Sequence, residues 1–417
     1  MTAILIDMAI PKKIIHVVRR FSPANWGGIE TSVLKTCNAL LNQGIKSEIF
    51  CTNTFSEAKV ETINSIKVRR FSHFIPTWNL SKKERMELEL KGANPFSWSL
   101  FAALLREPDV DLIHVHTRNR LGGIARTAAR WRKIPYVVTL HSGYELPPEQ
   151  QNYMLRPAEG KWEWGKALGW LVGSRQLLQD AQGIICVNPL ELEPLRNIYG
   201  NRVFYVPNSV DVEAFEKTSG KFFLDTYTQF QNKKILLCVS RIDYSKNHVL
   251  LVKAFAKLKQ RHPDAVLLFI GPISAPDYFK EVLLTAERLG VSAVLHRLEF
   301  KPDDLRLISA FKAAHLFVLA SSLEPFGIVI IEAWAAGIPV VASKVGGIPG
   351  FSTDMHNILL FENNSEEQLL ERLTLGWEDE NLRAKLQKQG LEDAKKYSIG
   401  FVGQQLIDIY KQVSTSQ

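Results

Sequence analysis

Short apolar runs alternate with amphipathic stretches along the whole chain. In the first half, the apolar runs predict strands at 14–18, 47–51, 112–116, 135–139, 183–187 and 203–206. The stretches between them predict helices at 28–43, 95–106, 118–133 and 162–182. This alternation is typical of parallel sheets with crossover helices, so the predicted fold class is α/β.

The same alternation begins again at KKILLCVS, residues 233–240, and runs to ILLF, residues 358–361. The turn-rich stretch at 207–232 between the two series predicts a linker. We therefore place one domain at 1–206, a second at 207–397 and a final helix at 398–417. Two open sheets of this kind bind ligands at the ends of their strands.

Composition is that of a globular protein, with 46% hydrophobic and 23% charged residues in 417. Cys37, Cys51, Cys186 and Cys238 are far apart and match no zinc or disulfide framework, which favours a reducing compartment. Asp7 interrupts the apolar opening, so we do not interpret it as a signal peptide. The predicted location is cytoplasmic.

The formal charge of +8 comes from the first half of the chain. Its bases cluster in KVRR at 67–70, SKKER at 81–85 and RNRLGGIARTAARWRK at 118–133. An acidic membrane surface, a phosphate-bearing acceptor or nucleic acid could meet such a patch, and a solvated basic face is the alternative. Because no nucleic-acid-binding motif accompanies it, we predict no nucleic-acid partner.

Two carboxylates stand out in SSLEPFGIVIIEAWAAGIPVVASKVGGIP at 321–349. Glu324 lies at a predicted helix start and Glu332 two turns later. The free N–H groups of Phe326, Gly327 and Ile328 can there meet a phosphate or a sugar hydroxyl. The alternative is that Glu324 stabilises the helix start electrostatically and Glu332 makes a surface ion pair.

The patterns E-P-F-G-x-x-x-x-E, A-x-x-x-G-x-P-V-V-A and V-G-G-I-P in this segment resemble the family 4 glycosyltransferases of the group 1 type. The resemblance implies the glycosyltransferase-B fold, with two Rossmann-like parallel-sheet domains facing across a cleft. It makes 1–206 the acceptor-side domain, with helix 398–417 packed back on it, and 207–397 the nucleotide-sugar donor domain.

Other segments resemble the same family in the expected order. SRIDYSKN at 240–247 looks like the donor-diphosphate motif, which implies Arg241 and Lys246 as phosphate ligands. NWGGIETSVLKTCNALLNQG at 25–44 resembles the glycine loop, which implies that Gly27 and Gly28 approach the donor phosphate. Without the resemblance, Arg241 and Lys246 would be interpreted as surface charges, and Gly27-Gly28 as a turn.

Two histidines and one backbone segment complete the implied site. In VVTLHSGY at 137–144, the resemblance places His141 beside the transferred sugar, and in DLIHVH at 111–116 it makes His116 an acceptor candidate. A structural role at a strand end is the alternative for both. The backbone near Arg297 and Leu298 is the implied contact of the nucleotide base.

Asp109-Val110-Asp111 reads as a D-x-D, the signature by which the other large glycosyltransferase fold holds a metal–diphosphate complex. It precedes a predicted strand and is far in sequence from Arg241 and Glu324. We assign it to the turn and predict no essential metal and no cofactor.

The predicted activity is retaining transfer of a hexose from a nucleotide-diphosphate sugar, with a UDP-sugar favoured over GDP-mannose. The predicted catalytic residues are His141, Arg241, Lys246 and Glu324, and Glu332 is implied to bind the ribose. We expect a glycan or lipid-linked acceptor of polysaccharide or lipopolysaccharide biosynthesis, at the inner face of an anionic membrane. A nucleotide-sugar epimerase of the same fold and a non-catalytic nucleotide-sugar-binding protein are the alternatives.

Overall fold

The computed structural model describes residues 10–23, 26–141, 161–301 and 304–414. The chain forms two compact units. The first comprises Met1–Pro207 and Val402–Gln417, and the second comprises Asn208–Phe401. Each unit is built on a largely parallel sheet covered by helices, which confirms the predicted α/β class.

The sheet of the first unit has eight strands in the order β3-β4-β2-β1-β5-β6-β7-β8, and only the β3–β4 pair is antiparallel. The strands are β1 Lys13–Arg20, β2 Lys46–Thr52, β3 Val60–Ile63, β4 Ile66–Phe71, β5 Leu112–Val115, β6 Tyr136–Leu140, β7 Gly183–Cys186 and β8 Val203–Tyr205. The helices are α1 Gly28–Asn42, α2 Lys82–Lys91, α3 Trp98–Arg106, α4 Asn119–Arg132, α5 Lys166–Leu171 and α6 Leu192–Tyr199.

The sheet of the second unit has six parallel strands in the order β11-β10-β9-β12-β13-β14. The strands are β9 Lys234–Val239, β10 Ala265–Ile270, β11 Leu295–Leu298, β12 Leu316–Leu319, β13 Val340–Ser343 and β14 Leu359–Phe361. The helices are α7 Val212–Lys217, α8 Lys221–Thr226, α9 His248–Arg261, α10 Pro276–Arg288, α11 Leu305–Ala313, α12 Ile328–Ala336, α13 Ile348–Phe351, α14 Glu366–Glu378, α15 Glu380–Ala394 and α16 Ile399–Ser414, the last of which contributes residues 402–414 to the first unit.

Helix α16 packs on one face of the first sheet. Its residues Val402, Leu406 and Tyr410 share a buried cluster with Ile14 of β1 and Leu112 of β5. The helix carries apolar side chains at helical spacing, so it can bury one continuous face. The opposite face of the sheet packs against α3 and α4.

The basic segment 118–133 forms α4, and its arginines mostly hold the first unit together. Arg120 is buried, donates to the Gly165 carbonyl and pairs with Glu163. Arg126 and Arg130 both pair with Asp180. The pattern therefore predicted the helix correctly, but much of its charge is neutralised internally instead of facing an anionic partner.

One predicted helix of the first unit was wrong, and one segment of the basic patch proved to be part of the sheet. The predicted helix at 162–182 is only α5 followed by a single turn at Ser174–Gln176, because Gly173 between them has the left-handed φ of 57°. The basic segment KVRR at 67–70 lies in strand β4, where Arg70 is buried and donates to the Phe21 carbonyl.

Within the described part of the chain, no helix combines the length and the apolar character that crossing a membrane requires.

Candidate functional site

In each sheet, the first strand of the unit lies in the interior, and later strands are added on both sides of it. Strand β1 lies between β2 and β5, and β9 lies between β10 and β12. Open α/β sheets bind ligands at the carboxyl ends of the strands at such a switch point. Of the predicted catalytic residues, Arg241 and Lys246 lie in the loop after the central strand β9, and Glu324 lies in the loop after its neighbour β12. His141 follows β6, which is two strands away from β1 in the first sheet.

The loops after β9 and β12 are joined by hydrogen bonds. The backbone N–H of Ser322 donates to the Ser245 carbonyl at 2.8 Å. Asp243 accepts from the N–H of Ser245 and so begins the single turn Tyr244–Lys246. These bonds hold Lys246 and Glu324 on neighbouring loops with little freedom to separate.

Lys246 and Glu324 form a direct ion pair. Lys246 Nζ lies 2.6 Å from Glu324 Oε2, and each side chain is only 13% exposed. Ser321 Oγ also donates to the same oxygen at 3.4 Å. Partly buried opposite charges with few other partners are costly to separate, so a ligand that displaces one must satisfy both.

The glycines of V-G-G-I-P place the backbone of Glu324. The N–H of Gly347 donates to the Glu324 carbonyl at 3.0 Å. Gly346 has a φ of +54°, and a Cβ there would lie 1.9 Å from that same carbonyl oxygen. Only glycine fits this close approach, which explains the motif physically.

Helix α12 begins at Ile328 after Gly327, which has a φ of 89°. The N–H of Ile330 donates to the Gly327 carbonyl at 2.9 Å, whereas the N–H groups of Ile328 and Val329 precede the first bond of the helix and are suited to bind an anion. The Phe326 side chain is buried beside Phe351 and Tyr397, so only its backbone N–H can meet a ligand. Glu332 lies on the same helix, partly exposed.

Arg241 and the segment Arg297–Leu298 lie elsewhere on the same edge. The Arg241 side chain is 58% exposed and lies 3.4 Å from Asp243, so its charge is accessible to solvent. Arg297 donates to the Gly271 carbonyl at 2.9 Å, and the Leu298 carbonyl accepts from the Gly271 N–H at 3.0 Å. These bonds fix the backbone that the resemblance assigns to the nucleotide base.

In the first unit, four histidines line one face of the sheet near its carboxyl edge. His16 of β1 is paired in register with His114 of β5, and His116 and His141 follow the ends of β5 and β6. His16 Nδ1 lies 3.0 Å from His116 Nε2, and His116 Nδ1 lies 2.9 Å from His141 Nε2. We call His16, His116 and His141 the histidine chain.

His114 lies beside the chain but bonds elsewhere, to the Tyr410 hydroxyl at 2.7 Å and to Thr139 Oγ1 at 2.6 Å. Burial lowers the pKa of His16 to about 3 and that of His141 to about 4. Burial also lowers the pKa of His114 and His116 well below the usual value. The whole cluster is therefore neutral at pH 7.

His16, His114 and His116 also have ring nitrogens that all lie within 4.8 Å of one another, a spacing open to a metal ion. However, five of their six nitrogens already have hydrogen-bond partners, and the remaining one is His16 Nε2. Binding an ion would require several of these bonds to break, so the geometry favours hydrogen bonding.

The glycine loop has no strong local requirement for glycine. Gly27 is extended at φ −147°, and a Cβ on Gly28 would meet no atom within 4 Å. Open space beside Gly28 fits close approach of a ligand. Asn25 of this motif, Ser142 to Tyr144 of the His141 motif and residues 1–9 lie outside the described residues.

The D-x-D segment lies in the turn before β5, as its position predicted. Asp111 Oδ2 accepts from the backbone N–H groups of Lys12 and Lys13 at 2.7 and 2.9 Å. Its carboxylate therefore holds the start of β1.

Two sequence models match the chain. The model described as Glycosyltransferase Family 4 matches residues 26–214, and the model described as Glycosyl transferases group 1 matches residues 223–393. The chain belongs to the family 4 glycosyltransferases of the group 1 type, as the sequence motifs predicted.

Individual relatives agree with this assignment. The D-inositol 3-phosphate glycosyltransferase of Corynebacterium glutamicum is 26% identical over 92% of this chain and 91% of its own, and that of Nocardiopsis dassonvillei is 27% identical over 99% and 97%. The crystal structure of Anabaena Alr3699/HepE in complex with UDP and glucose is 20% identical, covers 95% of this chain and 98% of its own, and has a TM-score of 0.72. The fold is the predicted glycosyltransferase-B type.

Sequence reasoning missed three contributors to these clusters. His16 lies inside the apolar run IIHVV, where a single polar residue on the buried side of a strand is the available signal. Ser322 and Gly346 act through their backbones, by a hydrogen bond and by the lack of a Cβ. The residue type of Ser322 carries no sign of its role, whereas Gly346 belongs to the V-G-G-I-P pattern, whose physical reason only the structure shows.

Proposed function

We propose that this glycosyltransferase moves a hexose, with retention of anomeric configuration, from a UDP-sugar to a lipid-linked or glycan acceptor of polysaccharide or lipopolysaccharide biosynthesis. The ion pair of Lys246 and Glu324 at the switch point of the second sheet carries the proposal. It supplies one cation for a diphosphate and one carboxylate for sugar hydroxyls at the same place.

Lys246 and Glu324 exchange partners when the donor binds. The diphosphate takes the Lys246 ammonium, assisted by Arg241 and the first-turn N–H groups of α12, and Glu324 turns to the hydroxyls of the sugar. As the bond between C1 and the diphosphate oxygen breaks, these groups stabilise the charge on the leaving group. Glu332 binds the ribose, as the family resemblance implies.

Retention follows from attack on the face that the diphosphate leaves. The acceptor oxygen bonds to C1, and its proton passes to the departing phosphate oxygen. Glu324 is paired with Lys246, which suits its carboxylate to binding rather than to nucleophilic attack. The roles of His141, Gly27 and Gly28 toward the donor are those the resemblance implies, and no essential metal is proposed.

A UDP-sugar is favoured over GDP-mannose because the Anabaena structure of the same fold was solved with UDP and glucose. Ligands that bind the native state raise its melting temperature. Thermal denaturation with UDP-glucose and with GDP-mannose separates the two donors. A larger shift with GDP-mannose would overturn the choice of nucleotide.

The acceptor proposal rests on an exposed surface of the first unit. Trp78 is 66% exposed, Trp162 69% and Trp170 83%. The backbone N–H of Trp78 donates to the Trp162 carbonyl at 2.9 Å, and Trp170 lies on α5, which begins four residues after Trp162. We call these three residues, with the exposed Lys82, Lys83 and Lys166, the tryptophan surface.

The tryptophan surface suits an anionic bilayer. Indole rings favour the interface between headgroups and acyl chains, and lysines bind anionic headgroups. Because the arginines of α4 are largely paired internally, the exposed lysines near these tryptophans in sequence account better for membrane attraction than the predicted patch at 118–133. An enzyme docked here would meet a lipid-linked acceptor at the cytoplasmic face.

Liposome sedimentation tests this surface. Replacing Trp162 and Trp170 together by Ala is expected to weaken binding to phosphatidylglycerol vesicles at least about fivefold per tryptophan, roughly 1 kcal/mol each. Trp131→Ala is the matched control. Trp131 is also 69% exposed, but it lies at the C-terminal end of α4 and is not part of the tryptophan surface. Equal loss in both variants, or binding indifferent to lipid charge, would refute the surface.

A second acceptor class is a soluble phosphorylated polyol, favoured by the relatives named as D-inositol 3-phosphate glycosyltransferases. Incubation of radiolabelled UDP-glucose with a bacterial membrane lipid extract or with D-inositol 3-phosphate separates the two classes. Label in the organic phase supports the proposal, and label on the inositol phosphate supports the second class. Conversion of the sugar without any acceptor would indicate an epimerase, and the absence of any product with either acceptor would indicate a binding protein.

A further inference from the structure

The histidine chain runs from the core of the first unit to its surface. His16 is fully buried, His116 is 6% exposed, and His141 is partly exposed. The ring centroids of His16 and His116 are 5.3 Å apart with an angle of 17° between the ring planes, and those of His116 and His141 are 5.2 Å apart with an angle of 28°. The three imidazoles therefore form one continuous hydrogen-bonded line that ends at the residue after β6.

Each ring in this line is neutral and so has one N–H donor and one bare acceptor nitrogen. Within a chain of two hydrogen bonds, every donor must point the same way. Only two arrangements satisfy both bonds. Either His16 donates to His116 and His116 donates to His141, or both bonds run in reverse.

The buried end of the chain distinguishes these arrangements. Among the residues that the structure describes, none is a hydrogen-bond partner of His16 Nε2. In the first arrangement this atom is a bare acceptor, and in the reverse arrangement it is a buried N–H without an acceptor. Buried unpaired N–H groups are the rarer and more costly case, so the bonds run from His16 toward His141.

We infer that His16 and His116 are positioning residues that fix the tautomer of His141, so that its Nδ1–H donates to an oxygen of the bound donor substrate. In this arrangement His141 Nε2 accepts from His116, which leaves the His141 proton on Nδ1. The substrate rests on the proposed function, whereas the tautomer is a property of the protein without substrate. The N–H of a neutral imidazole can donate to an uncharged hydroxyl or to a phosphate oxygen, because the ring carries no charge.

Imidazole nitrogen NMR on protein with ¹⁵N-labelled histidine measures the tautomer directly. The His141 signals are assigned by their loss in His141→Gln. We expect a protonated Nδ1 and a bare Nε2 for His141 at pH 7, without any substrate. A protonated Nε2 would reverse the chain and overturn the inference, and this spectrum needs no variant other than the one used for assignment.

Two variants of His116 separate tautomer control from simple packing. His116→Leu removes the donor to His141, and His116→Asn places an amide nitrogen near the position of Nδ1. We expect His116→Leu to shift His141 toward the Nε2–H form and to lower kcat about tenfold with little change in KM. His116→Asn should retain the Nδ1–H form and most of the activity.

His114→Gln is the matched control, because His114 lies in the same cluster but outside the chain. It should leave the His141 tautomer unchanged. An unchanged tautomer in His116→Leu would overturn the inference, and so would stoichiometric zinc binding that shifts the His16, His114 and His116 signals together. If the tautomer behaves as expected while no substrate is turned over by any form, the proposed function fails and the tautomer assignment stands.

Discussion

The carboxyl edges of the two sheets carry polar groups of opposite kinds. In the second unit, Lys246 and Glu324 are a charged pair whose side chains are each 13% exposed. In the first unit, the histidine chain is neutral and begins at His16, whose side chain is fully buried. One edge offers charge to a ligand, and the other offers hydrogen bonds without charge.

Burial explains the difference. Removing a lone imidazolium from water is costly, so deep histidines lose their protons and keep their hydrogen bonds. Lys246 and Glu324 compensate each other and remain near solvent, so the pair can stay charged. We therefore expect the cations that bind a diphosphate to come from the second unit, and the first unit to contribute hydrogen bonds from uncharged groups.

The largest expected effect follows from removing either charge of the second edge. Lys246→Ala or Glu324→Ala should lower transfer at least about a thousandfold, because the leaving group or the sugar loses its main partner. Circular dichroism should show the native fold. Lys344→Ala is the matched control, since Lys344 forms an exposed pair with Glu362 in the same unit. Near-normal turnover in either variant would remove the charged pair from the site.

Gly346→Ala should displace Glu324 without touching its charge. The added Cβ would collide with the Glu324 carbonyl oxygen, so we expect about a hundredfold loss of activity, as for misplaced catalytic groups elsewhere. Gly290→Ala is the control, because Gly290 has a φ of +69° and a Cβ there meets no atom within 4 Å. Equal effects of both substitutions on turnover would show that backbone strain, not the position of Glu324, matters.

Arg241→Gln should have a smaller effect. Because Arg241 is 58% exposed, its attraction to a diphosphate is screened by water and salt. We expect donor affinity to fall about tenfold at low ionic strength and less at high salt. Arg261, which is 61% exposed and paired with Glu378, provides the control as Arg261→Gln. An effect independent of salt would argue against a direct electrostatic contact.

His16→Phe tests whether burial keeps the histidine chain neutral, through its effect on the pH dependence of native stability. The folded pKa of His16 is lowered to about 3, while an unfolded histidine titrates near 6.5. Between these values the unfolded chain binds a proton that the native protein does not, so native stability falls as the pH drops below about 6.5. By pH 5 this amounts to about 2 kcal/mol from His16 alone.

His16→Phe removes that proton uptake. The decrease in Tm between pH 7 and pH 5 should therefore be smaller than in the wild type by about 5 °C. His114, His116 and Tyr410 lie in the same cluster and remain in the variant, so part of the acid sensitivity should persist. The exposed His356 gives the control as His356→Gln. An unchanged pH dependence would mean that His16 is not held neutral by burial.

Much of the fold could be predicted because buried parallel strands are nearly continuous apolar runs. Every strand predicted in the first half is present, with bounds shifted by one or two residues. Strands β3 and β4 were not predicted, because they form an antiparallel edge pair with few apolar residues. Helix α2 escaped because KKERMELELK is polar on most sides and depends on the Ser81–Glu84 capping box.

The candidate site could be predicted only where residue type carries the chemistry. Lys246 and Glu324 were predicted from motifs, but their direct pairing depends on hydrogen bonds between loops 77 residues apart in sequence. The arginines of α4 looked free because their acceptors, such as Asp180, lie far along the chain. The histidine chain links β1, β5 and β6, and no local pattern shows that these strands are neighbours.

Calorimetric binding of UDP and of UDP-glucose to wild type, Glu324→Gln and Lys246→Ala tests the central claim most directly. If Lys246 binds the diphosphate and Glu324 binds the sugar, Lys246→Ala weakens both ligands. Glu324→Gln then retains or strengthens UDP binding, because Lys246 no longer has to leave a carboxylate, and it removes the advantage of UDP-glucose over UDP. Wild-type discrimination retained in Glu324→Gln, or full UDP affinity in Lys246→Ala, would contradict the account.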